Sequence, residues 1–118
     1  AEQILNARKV VDQIHIADNI QKYIVSLILS TRNPENYGMK DLKGLIEFGA
    51  SPRATIYMSI AAKAAAFMSQ RGYVIPEDIR EVGRAILRHR IILTYEAEAE
   101  DITTEDIITR IFESIPTP

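Results

Sequence analysis

Gly49-Ala50-Ser51-Pro52-Arg53-Ala54 opens the most helix-prone segment of this 118-residue chain, and the fold follows from how it is read. Ser51 can accept a bond from the orphan amides of a first helical turn, and Pro52 stands where its missing N–H is harmless, at the first helical position. A helix is expected from about Pro52 to Gln70, with Ile56, Ile60, Ala61, Ala64, Phe67 and Met68 at helical spacing and Gly72 as its C′ stop. Ala61, Ala62, Ala64, Ala65 and Ala66 let other helices approach closely, which puts this helix at the centre of a bundle, with Met58 and Met68 as core gap-fillers. Arg53 breaks a local rule. A cation in a first turn faces the positive end of the macrodipole, an unfavourable effect of about 0.3–1 kcal/mol when exposed. Beside free helix N–H groups, however, its guanidinium is what a phosphate requires. The competing reading is a solvated surface residue whose stem packs on the helix.

Upstream, Ile4, Leu5, Val10, Val11 and Ile14 fit a short amphipathic helix over roughly Gln3 to Gln13. Asp18 and Gln21 have capping-box spacing ahead of the stripe Ile20, Tyr23, Ile24, Leu27 and Ile28. That helix should stop near Thr31-Arg32, because Pro34 biases Asn33 away from the helical region, and Arg32 then favours the negative helix end. Asn33 to Gly44 has no usable period and reads as a surface loop, the most mobile candidate. Leu45 to Phe48 and Ile91 to Thr94 are short apolar runs that can pair as a two-stranded ribbon leaning on the helices.

Downstream, Pro76 with Glu77 and Asp78 starts a helix whose stripe is Ile79, Val82, Gly83, Ile86 and Leu87. Its C-terminal half carries Arg84, Arg88, His89 and Arg90, cations that suit a helix C-terminus without any ligand. Arg84 or Arg88 could also face a neighbouring subunit. Glu96, Glu98, Glu100 and Asp101 read as an acidic, solvated connector. Thr103 or Thr104 can cap a last helix with the face Ile107, Ile108, Ile111, Phe112 and Ile115, ended by Pro116 and Pro118. The fold class is mainly α: a small single-domain helical bundle over residues 1–118, with a two-stranded β ribbon at about 45–48 and 91–94.

Composition narrows the function classes. With 47% hydrophobic residues, the chain buries about two-thirds of its unfolded surface in one core. Fourteen basic against sixteen acidic residues give a net charge of -2, so no basic field suggests nucleic acid or an anionic membrane. There is no cysteine, which excludes disulfides and thiolate metal sites. His15 and His89 lie on different elements without partners at metal-ligand spacing, so no metal site is expected. The apolar runs fall short of the ~20 residues of a membrane span and there is no signal-peptide pattern, pointing to a soluble, cytoplasmic protein. The chain lacks a Gly-x-x-x-x-Gly-Lys-Ser/Thr loop, paired acids for magnesium and any Ser-His-Asp set, so by itself it should be catalytically inert.

The hexapeptide followed by the alanine-rich helix, then Arg71-Gly72-Tyr73-Val74-Ile75-Pro76-Glu77-Asp78-Ile79, His89-Arg90-Ile91 and Tyr95-Glu96-Ala97-Glu98, resembles the C-terminal lid of MoxR-type AAA+ ATPases. The resemblance covers nearly the whole chain. It implies that Arg53 is the sensor 2 arginine, reaching the terminal phosphates of ATP held with Mg2+ on a preceding α/β core, and that Gly49, Ala50, Ser51, Pro52 and Arg53 form the nucleotide-facing corner. It also implies a hexameric ring that turns hydrolysis into chaperone-like assembly or activation of client complexes, methanol dehydrogenase among them. The ATPase core lies outside this chain, and Ala1 in place of an initiator methionine agrees with a cut-out domain. Gly49 would permit the close approach. Three alternatives stand beside this: a non-enzymatic helical interaction module in which Arg53 is dispensable, a small DNA binder reading the Arg84 to Arg90 face, and the lid of a magnesium-chelatase-type ATPase.

Overall fold

A computed structural model of the chain describes residues 9–11 and 13–118. The helix expected over 3–13 therefore falls largely outside the described residues, although Lys9 to Val11 are helical. The first full helix, α1 (Asp18–Arg32), buries Ile20, Tyr23, Ile24, Leu27 and Ile28 as the 3.6-residue spacing requires. Its expected capping box does not form. Ala17 is the N-cap and makes no side-chain cap, while Asp18 sits one position too late, inside the first turn. There its carboxylate acts on the helix dipole alone.

The stretch taken for a surface loop is more structured than its period suggested. It makes two 3-10 turns, Pro34–Tyr37 and Lys40–Leu42, with Gly38 at φ 75 between them. Pro34, Met39 and Leu42 are buried, so three apolar anchors at irregular spacing tie it to the core. The ribbon forms as expected: β1 (Ile46–Phe48) pairs antiparallel with β2 (Ile92–Leu93), Ile46 opposite Leu93 and Phe48 opposite Ile92, with an irregularity between. Thr94 extends the pairing, its amide donating to the Leu45 carbonyl at 3.0 Å and its hydroxyl to the Gly44 carbonyl at 2.9 Å.

The alanine-rich helix α2 (Ala54–Met68) and α3 (Pro76–Arg88) make the most extensive helix pair, and α1 and α5 (Thr104–Ser114) close the bundle around them. On α2 the buried face is Ala54, Met58, Ala62 and Ala66, not the expected stripe. Ile56, Ile60 and Met68 are exposed, Met68 most of all, so it is not a core filler; Phe67 is half-buried against the core. The face is chosen by fit. Gly83 of α3 leaves room for two large side chains: an added Cβ would stand 3.0 Å from Phe112 and 3.5 Å from Met58.

Helix α2 ends at Met68, two residues short of the expected Gln70, and its C′ stop is Gln70, not Gly72. Gln70 takes the left-handed position (φ 60), its amide donates to the Phe67 carbonyl at 2.9 Å, and the Arg71 amide reaches the Ala66 carbonyl at 2.9 Å, a Schellman arrangement. That places the Arg71 guanidinium on Asp78, with two bonds of 2.6 and 2.7 Å, while Asp78 also accepts from the Ile75 amide at 3.0 Å. The same connection pairs with the segment before α1, through His15 and Val74. The acidic connector is in fact the short helix α4 (Tyr95–Ala99), capped by Thr94 and pinned by buried Ala97. Helix α5 has the expected Thr103 cap, and Asp106 returns a bond to the Thr103 amide, which holds its carboxyl below the ordinary range. Its Ile107, Ile108, Ile111 and Phe112 are buried, with Ile115 just beyond.

Burial alone would raise the Asp78 carboxyl, but the Arg71 bonds, the Ile75 amide and the Arg71 charge together outweigh it and hold the group below its ordinary 3.8. A depressed folded-state value contributes stability that is present above 3.8 and lost as pH falls through the folded value. Asp78→Asn is expected to lower stability by about 1–3 kcal/mol at pH 7. In urea titrations the gap to the unaltered protein should narrow below pH 3.8, and a gap independent of pH would contradict this.

Candidate functional site: an anchored corner carrying Arg53

Between β1 and α2 the chain turns through Gly49 to Arg53, held by the C-terminal turn of α1. Buried Thr31 donates its hydroxyl to the Ile28 carbonyl at 2.6 Å and accepts the amide of fully buried Ala50 at 2.9 Å. Gly49 lies flat on the same turn. A Cβ there would stand 2.4 Å from the Thr31 carbonyl oxygen and 2.8 Å from the Arg32 amide nitrogen, distances that backbone cannot yield. The close approach at Gly49 and the burial of Ala50 are thus demands that α1 makes.

Beyond that anchor the chain rises into solvent. Ser51, Pro52 and Arg53 are all exposed. The Ser51 hydroxyl accepts the Arg53 amide at 3.2 Å, but α2 starts at Ala54, two residues later than expected, with Arg53 as its N-cap and no side-chain cap of its own, so Pro52 lies in the turn ahead of the helix. The next amides are used too: Ala54 donates to the Ser51 carbonyl at 2.8 Å, Thr55 to Pro52 at 3.1 Å and Ile56 to Arg53 at 3.1 Å. A tight 3-10-like turn therefore precedes the α-helix proper. Free N–H groups beside Arg53, expected from the sequence, are consumed by this turn. An anion at this corner would have to be held by the guanidinium. Among the described residues, the Arg53 side chain has neither a hydrogen bond nor an ion pair.

The other cations divide sharply. Arg84 and Arg88 both reach Glu105 of α5, Arg84 at 3.6 Å, where Arg84 also meets the Thr109 hydroxyl at 3.3 Å and lies 5.5 Å from the Phe112 ring centre. They fasten α3 to α5 and leave no row of free arginines for a phosphate backbone, which weakens the nucleic-acid alternative. Arg90 instead lies over Tyr57 of α2, 4.7 Å from its ring centre. Among the described residues, no three His, Asp or Glu side chains gather as metal ligands, and no helix is long and apolar enough to cross a membrane. Sequence reasoning missed the Thr31 anchor and the Arg71 to Asp78 clamp. The second had a signal, an acid at the third position of a helix behind Pro76.

Gly49→Ala should destabilise the protein by about 1–3 kcal/mol through this overpacking. Gly72→Ala, where an added Cβ meets nothing within 4 Å, should change little. Chemical denaturation of both variants checks this, and equal effects would contradict it.

Comparisons with known proteins give this geometry a context. The family model described as AAA lid domain matches residues 41–111. Chaperone MoxR1 of Mycobacterium tuberculosis is 40% identical over 124 residues, covering 100% of this chain and 33% of the relative. Protein MoxR of Paracoccus denitrificans is 33% identical over 110 residues, covering 88% of this chain and 32% of its own length. A solved structure from Cytophaga hutchinsonii, of a protein assigned as an ATPase, superposes with a TM-score of 0.89 at 44% identity, covering 93% of this chain and 33% of that one. The chain thus spans about a third of the length of the relatives it matches.

Proposed function

This chain belongs to the AAA lid domain family, within the MoxR-type AAA+ ATPases, and from that premise we propose that it closes over ATP bound to an α/β core elsewhere in a longer protein. The observation that carries this is Arg53, an exposed guanidinium without a partner among the described residues, at the tip of a corner that Gly49 and Ala50 lock onto α1. A mobile cation would lose side-chain and loop entropy on every closure. On an anchored corner the loop part of that loss is avoided, and only the side chain has to be ordered.

Phosphoryl transfer is promoted mainly by positioning and by stabilising charge on the terminal phosphate. Arg53 would contribute both only when the lid is closed, which links nucleotide state to lid angle. Ser51 and Pro52 fix the backbone from which it projects, while Gly49 and Ala50 hold that backbone in place. Mg2+ would be held by acids of the core and not by this domain. The coupling of hydrolysis to work on client complexes follows by analogy with relatives named MoxR, one of them a chaperone. A homo-oligomeric, hexameric ring in the cytoplasm is part of the same reading.

In the full-length protein, Arg53→Ala is expected to lower ATP turnover by about 100-fold or more, the scale of losing one preorganised charge-stabilising donor. Thermal stability should stay within about 0.5 kcal/mol, as for an exposed residue. Arg53→Lys should restore turnover only in part, because a point charge lacks the planar fork. A variant that hydrolyses ATP normally, or one that unfolds, would contradict the assignment.

A further inference from the structure

Two arginines meet at Tyr57. The first is Arg53, one turn back: the Tyr57 amide donates to the Arg53 carbonyl at 3.4 Å, so the two side chains are stacked neighbours. Helix side chains lean toward the N-terminus, which carries the Tyr57 ring back over the turn that holds Arg53. The second is Arg90, whose guanidinium carbon lies 4.7 Å from the centre of that ring. Its backbone is fixed too. The Arg90 amide donates to the Leu87 carbonyl at 3.0 Å, and the next residue, buried Ile91, donates to the same carbonyl at 3.1 Å. The ring therefore brings a second guanidinium to the end of α2 from which Arg53 projects.

No acid answers this pair. Neither arginine has an ion pair among the described residues, and α2 carries no aspartate or glutamate along its whole length. Other exposed cations differ: Arg84 and Arg88 meet Glu105, and Arg32 shares a hollow with Glu47. Two like charges gathered without a counter-ion repel each other, a cost that an anion from outside removes. We propose that Arg90 is a second phosphate-binding arginine, meeting with Arg53 the terminal phosphate of the nucleotide, and that Tyr57 is its positioning residue; this rests on the reading of Arg53 given above. A single carboxylate would neutralise only one of the two cations. A terminal phosphate, with a charge of about −2 and three acceptor oxygens, suits two planar forks. The aromatic face steadies Arg90 without engaging its N–H donors, which stay available for those oxygens.

In the full-length protein, Arg90→Ala is expected to lower ATP turnover by about tenfold or more, the scale of one hydrogen bond to a charged group, with an unchanged circular dichroism spectrum and melting temperature. Its affinity for a non-hydrolysable ATP analogue should fall by a similar factor, while ADP, which lacks the terminal phosphate, binds as before. Tyr57→Phe keeps the ring and should keep turnover, whereas Tyr57→Leu should reproduce part of the loss. Arg53→Ala and Arg90→Ala together should cost less than the product of their separate effects, as for two groups acting on one phosphate. Normal turnover in Arg90→Ala, or an affinity loss equal for the ATP analogue and ADP, would overturn the assignment of Arg90 and leave that of Arg53 standing. Normal turnover in Arg53→Ala would instead overturn the reading on which both rest.

Discussion

The contact on which the rest of this structure depends is backbone on backbone: Gly49 lying against the last turn of α1, with the Ala50 amide bonded to Thr31. It fixes where the chain leaves β1, and so where α2 begins and which way Arg53 projects. The ribbon supports the same corner from the other side, because β2 follows directly from α3 and pairs across to Phe48. Three elements far apart in sequence therefore converge on five residues. None of that constraint is spent on Arg53 itself, which stays exposed and unpaired among the described residues. In the proposed function that cation is left for a phosphate held outside the chain.

The second organising constraint is the close approach of α2 and α3. The inward face of α2 is Ala54, Met58, Ala62 and Ala66, and Gly83 of α3 makes room for Met58 and for Phe112 of α5. With three alanines and Met58 turned inward, the large side chains at 56, 57 and 60 fall on the opposite face. Ile56, Tyr57 and Ile60 are thus exposed by the same packing that stabilises the bundle. The division of arginines follows a similar logic. Those facing α5 find Glu105, and Arg90, two residues beyond the end of α3, lies over the ring of Tyr57.

How much of this could be read in advance differed from element to element. Helices α1 and α5 were legible because their large β-branched and aromatic residues sit on one face with polar residues opposite. The ribbon was legible from two short apolar runs of matching length. The face of α2 was not, because both of its sides are apolar, and a period cannot choose between isoleucine and alanine when the neighbour decides which size fits. Gln70 displaced Gly72 as the left-handed residue because the shorter helix puts Arg71 within reach of Asp78, a contact that local propensity does not encode. The acidic stretch hid a helix for a related reason: its charges suggested solvent, while one cap and one alanine determined its shape. Arg53 was legible as an anomaly, a cation at the wrong helix end. That it would answer to a phosphate was also legible, from its chemistry and from the family resemblance, while the group proposed to hold that phosphate lies outside this sequence.

The most direct test is a crystal structure of the full-length protein with Mg2+ and a non-hydrolysable ATP analogue. The account requires the Arg53 guanidinium within hydrogen-bond distance of the terminal phosphate, about 2.7–2.9 Å for a charge-assisted pair, with the Gly49 and Ala50 corner unchanged against α1. A nucleotide fully caged by other residues, with Arg53 left in solvent, would contradict it.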